Sequence, residues 1–107
     1  MSRFAETLDR LAATIAARRG ADPAASWSAR LIADKPLAAK KLAEEAVEMA
    51  LAAVQGDPKA LVAESADVIY HLLALLAAAD ISLDTVAAEL ETREARSGLE
   101  EKASREP

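Results

Sequence analysis

The stretch LAEEAVEMALAAVQGDPKALVAESADVIYHLL, residues 42–73, decides the fold. Gly56 is a typical helix end, and Asp57 followed by Pro58 gives the N-cap and first-turn signature of a new helix. The stretch therefore predicts two helices joined by a tight turn. Helices joined this closely pack side by side as an antiparallel hairpin.

Five carboxylates are spaced one helical turn apart along this hairpin. Glu44, Glu45 and Glu48 form E-E-x-x-E in its first helix, and Glu64 with Asp67 forms E-x-x-D in its second. Residues three apart differ by about 60° of rotation and about 4.5 Å of rise, so each pair points to one spot. Glu48 and Glu64 each lie eight residues from the turn glycine, so we expect them to meet at the same height.

Solvated acids on exposed faces are the ordinary interpretation of such a pattern, because charged residues are mostly exposed. Between Ala60 and Ala79, however, the second helix carries only five polar side chains. Buried ionised carboxylates must be paired, protonated or bound to a metal. Ligands that are all oxygen favour Mg²⁺ or Mn²⁺ over zinc. A ferritin-like di-iron site needs Glu-x-x-His, whereas His71 follows Glu64 by seven positions and Asp67 by four, which argues against it.

A carboxylate-held Mg²⁺ indicates phosphate chemistry, since Mg²⁺ usually bridges to substrate phosphates. Lys40 and Lys41 lie one turn before the first acid, and Arg30 stands upstream. These bases are candidates for binding phosphate, although they are also consistent with an ordinary solvated surface. We expect His71 to be a hydrogen-bonded or interface residue. Trp27 and Tyr70 could stack on a base, but packing in the core is favoured for single aromatic residues in such a bundle.

The remaining chain predicts an all-α bundle of about four to five helices with a core completed by oligomerisation. The third helix carries apolar residues on two sides, which is typical of a bundle or a subunit interface. The domain is expected to cover residues 1–96, followed by a charged, disordered tail over residues 97–107. Outside the hairpin, the sequence predicts a first helix over Arg3–Arg19, a short helix or turn that starts from Asp22-Pro23 and includes Trp27, and a last helix from Ser82 to about Gly98. Within the hairpin, the third helix is expected to run from Asp34 to Gln55 and the fourth from Asp57 to about Ala79.

Composition narrows the class of protein further. The net charge of −5 and pI of about 4.9 argue against a nucleic-acid partner. The absence of cysteine excludes a thiol nucleophile and a disulfide framework, and is compatible with the cytoplasm. The apolar run 68–79 is interrupted by His71 and is too short to cross a membrane, so a soluble protein is expected.

Four segments together resemble a known family. They are SWSARL from Ser26, KKLAEEAVE from Lys40, ESADVIYHLL from Glu64 and ISLDTV from Ile81. The chain is similar in these segments to the phosphoribosyl-ATP pyrophosphohydrolases of histidine biosynthesis, which are MazG-like all-α nucleotide pyrophosphohydrolases.

The resemblance implies Mg²⁺-dependent cleavage of phosphoribosyl-ATP to phosphoribosyl-AMP and pyrophosphate, the second step of histidine biosynthesis, by a homodimer or homotetramer. Glu44 would be a further ligand, a group behind the ligands, or the base for water. The other roles that the resemblance implies fall on Glu45, Glu48, Glu64 and Asp67 as metal ligands, on Glu48 also as a catalytic residue, and on Arg30, Lys40 and Lys41 as phosphate contacts.

Two other functions stay open at this point. The same acids are consistent with a housekeeping pyrophosphatase acting on dUTP or other nucleoside triphosphates. The chain is also consistent with a non-catalytic helical interaction module whose acids only affect solubility and pairing.

Overall fold

The computed structural model describes residues 2–95 together with residues 102, 103 and 105. The described part is all α-helical and contains no β-strand, which confirms the predicted fold class. The predicted tail of residues 97–107 lies outside the described residues, apart from those three. The helices are α1 (Arg3–Ala16), α2 (Trp27–Ala33), α3 (Lys35–Val54), α4 (Pro58–Ala78) and α5 (Leu83–Glu94).

Each of these helices begins with a side-chain cap, as its sequence requires. A Ser or Asp oxygen accepts a hydrogen bond from the backbone N–H three residues on, which satisfies one of the free donors of the first turn. The distances lie between 3.1 and 3.3 Å. The capping residues are Ser2, Ser26, Asp34, Asp57 and Ser82.

The turn between α3 and α4 combines a helix stop with a helix start. Gly56 has φ of +72°, its N–H donates to Ala53 O, and the N–H of Asp57 donates to Ala52 O, both at 3.2 Å. This is the Schellman arrangement. Asp57 then caps α4, so Gly56 is the single residue between the C-cap of α3, Gln55, and the N-cap of α4. The α3–α4 pair makes the most extensive contact between helices in the fold, as the hairpin prediction requires.

The core lies where α1, α2 and α4 meet the start of α3. Ile15 and Leu31 are almost completely buried there, and Leu73 and Ala74 of α4 pack against them. Small side chains allow the helices to approach closely, because Ala38 and Ala74 have no exposed surface at all. The core is therefore built from aliphatic residues, as the composition predicts.

The connection between α1 and α2 differs from the prediction. Asp22 and Pro23 do not start a helix, because Asp22 Oδ1 accepts a hydrogen bond from Ala24 N at 2.9 Å and closes a turn instead. The helix begins at Trp27, after its cap. The first helix also ends at Ala16, earlier than expected, and turns lead from there to Gly20 at φ +83°.

Helix α4 is long and apolar enough, by its 21 residues and a mean hydropathy of 1.6 in its most apolar window, to cross a membrane. Length and composition are the only grounds for that possibility, and the central helix of a soluble bundle meets the same criteria. Two carboxylates stand in the middle of this helix, at Glu64 and Asp67, where a lipid environment would penalise them. We therefore interpret α4 as the central helix of the bundle.

Candidate metal centre

Three carboxylates come together between α3 and α4. Glu45, Glu48 and Glu64 each offer an oxygen, and these oxygens all lie within 4.8 Å of one another. The Glu48–Glu64 meeting expected from the hairpin is therefore present. We call these three residues the acid cluster.

The acid cluster is partly shielded from water. Glu45 and Glu64 are half-buried, while Glu48 is exposed at the edge. Glu64 Oε2 is buried and has no hydrogen-bond partner among the described residues. A buried carboxylate oxygen without a partner carries a free-energy cost, which a cation placed among the three groups would offset.

Electrostatics in the acid cluster oppose full ionisation. Burial raises the pKa of Glu64 above its usual value, and the neighbouring carboxylates of Glu48 and Glu45 raise it further. Burial likewise raises the pKa of Glu45, with Glu48 and the charge of Asp67 adding to the effect. A site that disfavours its own negative charge is well suited to a positive ligand.

Asp67 stands outside the three-oxygen group. It is exposed, one helical turn after Glu64, and close enough for its charge to act on Glu45. Its predicted role as a fourth ligand stays a prediction.

Lys41 is the cation nearest to the acids. Its Nζ lies 3.2 Å from Glu44 Oε2 and 3.9 Å from Glu45 Oε1. The hydrogen bond to Glu44, followed by the charge of that carboxylate, raises the pKa of Lys41, so the lysine is firmly protonated. Glu44 is thereby held beside the acid cluster and is not one of its three members. The sequence signal for this ion pair was the spacing of three and four residues on one helix.

The other two cationic residues that were predicted to bind phosphate are exposed. Lys40 lies on the surface of α3, one position before Lys41. Arg30 lies on α2 with its guanidinium carbon 5.6 Å from the centre of the Trp27 ring. This stacking of a cation on an aromatic face was not expected from the sequence, although the three-residue spacing on a helix permits it.

His71 is buried at 6% exposure, and its hydrogen bonds confirm the predicted role. Its Nε2 receives the indole N–H of Trp27 at 3.3 Å, and its Nδ1 lies 2.8 Å from the backbone oxygen of Asp67. Trp27 itself is 40% exposed, so its predicted place in the core was wrong. The α2–α4 contact that explains this position has no signal in the local sequence.

Comparison with known proteins now identifies the family. The model of the phosphoribosyl-ATP pyrophosphohydrolase family matches residues 8–94. The chain belongs to this family. Proteins named phosphoribosyl-ATP pyrophosphatase are similar over nearly the whole length: the one from Caulobacter sp. (strain K31) is 58% identical, with 98% of both chains covered. Those from Caulobacter vibrioides (strain NA1000 / CB15N) and Paracoccus denitrificans (strain Pd 1222) are 59% and 58% identical, over 96% and 92% of both chains.

The family assignment confirms the resemblance seen in the four sequence segments. It also confirms the prediction of a hydrolase, since the pyrophosphohydrolase family model covers every described helix except the first few residues of α1. The acid cluster lies within the matched residues, as do Arg30, Lys40 and Lys41.

Proposed function

We propose that this chain hydrolyses phosphoribosyl-ATP to phosphoribosyl-AMP and pyrophosphate, the second step of histidine biosynthesis, in the cytoplasm and with Mg²⁺ as its cofactor. The observation that carries the proposal is the acid cluster, with its unpartnered Glu64 oxygen, in a chain of this family. The donor set is entirely oxygen, which fits Mg²⁺ and also Mn²⁺.

Glu45, Glu48 and Glu64 would hold the metal from two helices, and Asp67 would add a ligand from the next turn of α4. When bound, the cation neutralises charge on the triphosphate and on the leaving pyrophosphate. The exposed edge of the acid cluster at Glu48 leaves access for substrate.

Glu44 takes the proton of the attacking water. It lies beside the acid cluster without belonging to it, and its ion pair with Lys41 keeps the carboxylate in place. The water oxygen forms a new bond to phosphorus, the α–β anhydride bond breaks, and pyrophosphate leaves. A carboxylate in this position acts as a general base.

Arg30, Lys40 and Lys41 bind the phosphates. Arg30 of α2 and Lys40 of α3 are exposed, whereas Lys41 contributes its charge from within the ion pair with Glu44. Together they offset the repulsion between the acids and a polyanionic substrate.

The active form is a homo-oligomer, either a dimer or a tetramer. Val47, Leu51 and Val54 form an apolar stripe on α3 that is 59%, 52% and 85% exposed, and Val62 of α4 is 71% exposed. Only 17% of the most apolar window of α4 is buried within one chain. A second copy would cover this surface, since contiguous apolar patches are rarely left in water. The stripe lies next to Glu48 on α3, so the contact borders the metal centre.

A turnover assay tests the proposed function. Pyrophosphate release from phosphoribosyl-ATP is measured with Mg²⁺ and with a chelator, alongside a panel that includes dUTP and ATP. Mg²⁺-dependent release with phosphoribosyl-ATP preferred over the panel is expected. Preference for dUTP would instead indicate a housekeeping pyrophosphatase. No release, together with no rise in melting temperature on adding Mg²⁺ and substrate, would indicate a helical interaction module.

A further inference from the structure

Helix α2 is fastened to α4 by two side-chain hydrogen bonds from neighbouring residues. The indole N–H of Trp27 donates to His71 Nε2 at 3.3 Å, and Ser28 Oγ lies 2.5 Å from the Tyr70 hydroxyl. Neither bond is part of a helix cap or of the acid cluster. Two adjacent side chains of the seven-residue helix α2 thus form hydrogen bonds to a single turn of α4.

The bond to His71 determines which imidazole nitrogen carries the proton. An indole nitrogen can only donate, so His71 Nε2 must accept and Nδ1 carries the hydrogen. Nδ1–H then donates to the backbone oxygen of Asp67, 2.8 Å away. The imidazole is also packed edge-on against both aromatic rings, with ring centres 6.4 Å from Trp27 and 5.0 Å from Tyr70. Two hydrogen bonds and two ring contacts therefore fix its orientation.

The same indole ring supports Arg30. The guanidinium carbon lies 5.6 Å from the ring centre, and the arginine has no carboxylate partner among the described residues. A long exposed side chain has many rotamers, and stacking on a ring that is itself held in place reduces them. Preorganisation of this kind strengthens the binding of an anion.

We propose that Trp27 and His71 are positioning residues for Arg30. The Trp27–His71 hydrogen bond holds the indole plane, and the indole plane holds the guanidinium where it contacts a phosphate of the substrate. The inference deepens the proposed function and rests on it for the identity of the substrate.

The competing explanation is that the bond merely docks α2 onto the bundle. The chain offers a matched control, because the Ser28–Tyr70 bond docks the same helix one residue away but does not touch the ring under Arg30. Tyr70→Phe removes only that second bond. It should lower stability without affecting the placement of Arg30.

The test measures binding of Mg²⁺ with inorganic pyrophosphate by calorimetry, and the KM and kcat for phosphoribosyl-ATP. Trp27→Phe keeps a ring but loses the donor, and His71→Leu loses the acceptor. Each should weaken pyrophosphate binding and raise KM by about three- to tenfold, with a smaller change in kcat. His71→Gln, whose amide oxygen accepts the indole N–H, should restore binding, and Tyr70→Phe should bind like the wild type.

A double-mutant cycle with Arg30→Ala decides between the explanations. If Trp27 acts through Arg30, Trp27→Phe has no further effect on pyrophosphate binding once Arg30 is removed. The inference is overturned if the two changes are additive, if Tyr70→Phe weakens binding as much as Trp27→Phe, or if wild-type protein fails to bind pyrophosphate with Mg²⁺. If pyrophosphate binding by the variants follows the predicted pattern but the wild-type protein does not turn over phosphoribosyl-ATP, the proposed function is refuted and the positioning role stands.

Discussion

Glu48 of α3 and Glu64 of α4 bring carboxylate oxygens within 4.8 Å of each other from antiparallel helices. In the absence of a cation this proximity is unfavourable, because both groups carry or share negative charge. The arrangement therefore favours metal binding at the expense of the stability of the metal-free protein.

Replacement of Glu48 by Gln should separate the effect of this carboxylate on metal binding from its effect on the stability of the metal-free protein. We expect Mg²⁺-dependent pyrophosphate release to fall by about 100-fold or more, because a ligand oxygen is lost. The melting temperature of the metal-free variant should rise by about a few degrees, because repulsion with Glu45 and Glu64 is relieved. Turnover and thermal unfolding measure the two effects. Unchanged pyrophosphate release in both Glu48→Gln and Asp67→Asn would refute the ligand assignment.

The stability of the metal-free protein should depend on the raised pKa values of Glu45 and Glu64. Folded protein holds protons on these groups that the unfolded chain has released, so stability falls as pH rises from about the ordinary carboxyl value of 4.5 through the raised values. The melting temperature of the wild type, relative to a Glu45→Gln/Glu64→Gln variant, should therefore decrease with rising pH and then level off.

Saturating Mg²⁺ should remove this relative loss, since the cation binds the ionised carboxylates. The double variant controls for all other titrating groups. A relative melting temperature that stays constant or increases with pH would contradict the prediction.

The end of α4 contains backbone strain that a glycine would relieve. Asp80 has φ of +58°, and the N–H of Ile81 donates to Leu76 O at 2.9 Å, so Asp80 occupies the Schellman position that Gly56 occupies after α3. Asp80→Gly should stabilise the protein by about 1 kcal/mol.

Gly56→Ala is the matched control and should destabilise by a similar amount. A Cβ at Gly56 would meet no atom within 4 Å, so only the backbone conformation is affected. Urea unfolding of both variants measures these changes. Loss of stability in Asp80→Gly would show that the aspartate side chain contributes more than the strain costs.

The apolar stripe of α3 should be the contact between subunits. Leu51→Asp places a charge in the proposed interface and should weaken association by about 100-fold, because a buried unpaired charge is costly. Ala53→Asp puts the same charge two residues along the same exposed helix, about 200° around it, and should leave assembly unchanged. Sedimentation at a series of concentrations measures the difference. Equal association in both variants would place the interface elsewhere.

Much of this structure could be predicted from local signals. Asp57-Pro58 after Gly56 set the hairpin, and the hairpin with three-residue acid spacing placed Glu48 and Glu64 together. These features depend only on helix geometry and capping, which act over a few residues. The core composition followed from the near absence of aromatic residues.

The position of α2 could not be predicted in the same way. Asp22-Pro23 is equally suitable for a turn and for a helix start. The outcome depends on which backbone N–H donates a hydrogen bond to the aspartate oxygen. The Trp27–His71 bond joins residues 44 positions apart, so nothing in either local sequence indicates it. The ion pairs of Lys41 with Glu44 and Glu45 were not predicted, while its role in phosphate binding stays a prediction.

The single-glycine turn at Gly56 also has a kinetic consequence. All members of the acid cluster lie within one hairpin, with Glu48 and Glu64 only 64 − 48 = 16 positions apart. Closing a loop of about this size takes on the order of 100 ns, and its entropy cost is small. The pairing of α3 with α4 that forms the acid cluster therefore requires the closure of only one short loop.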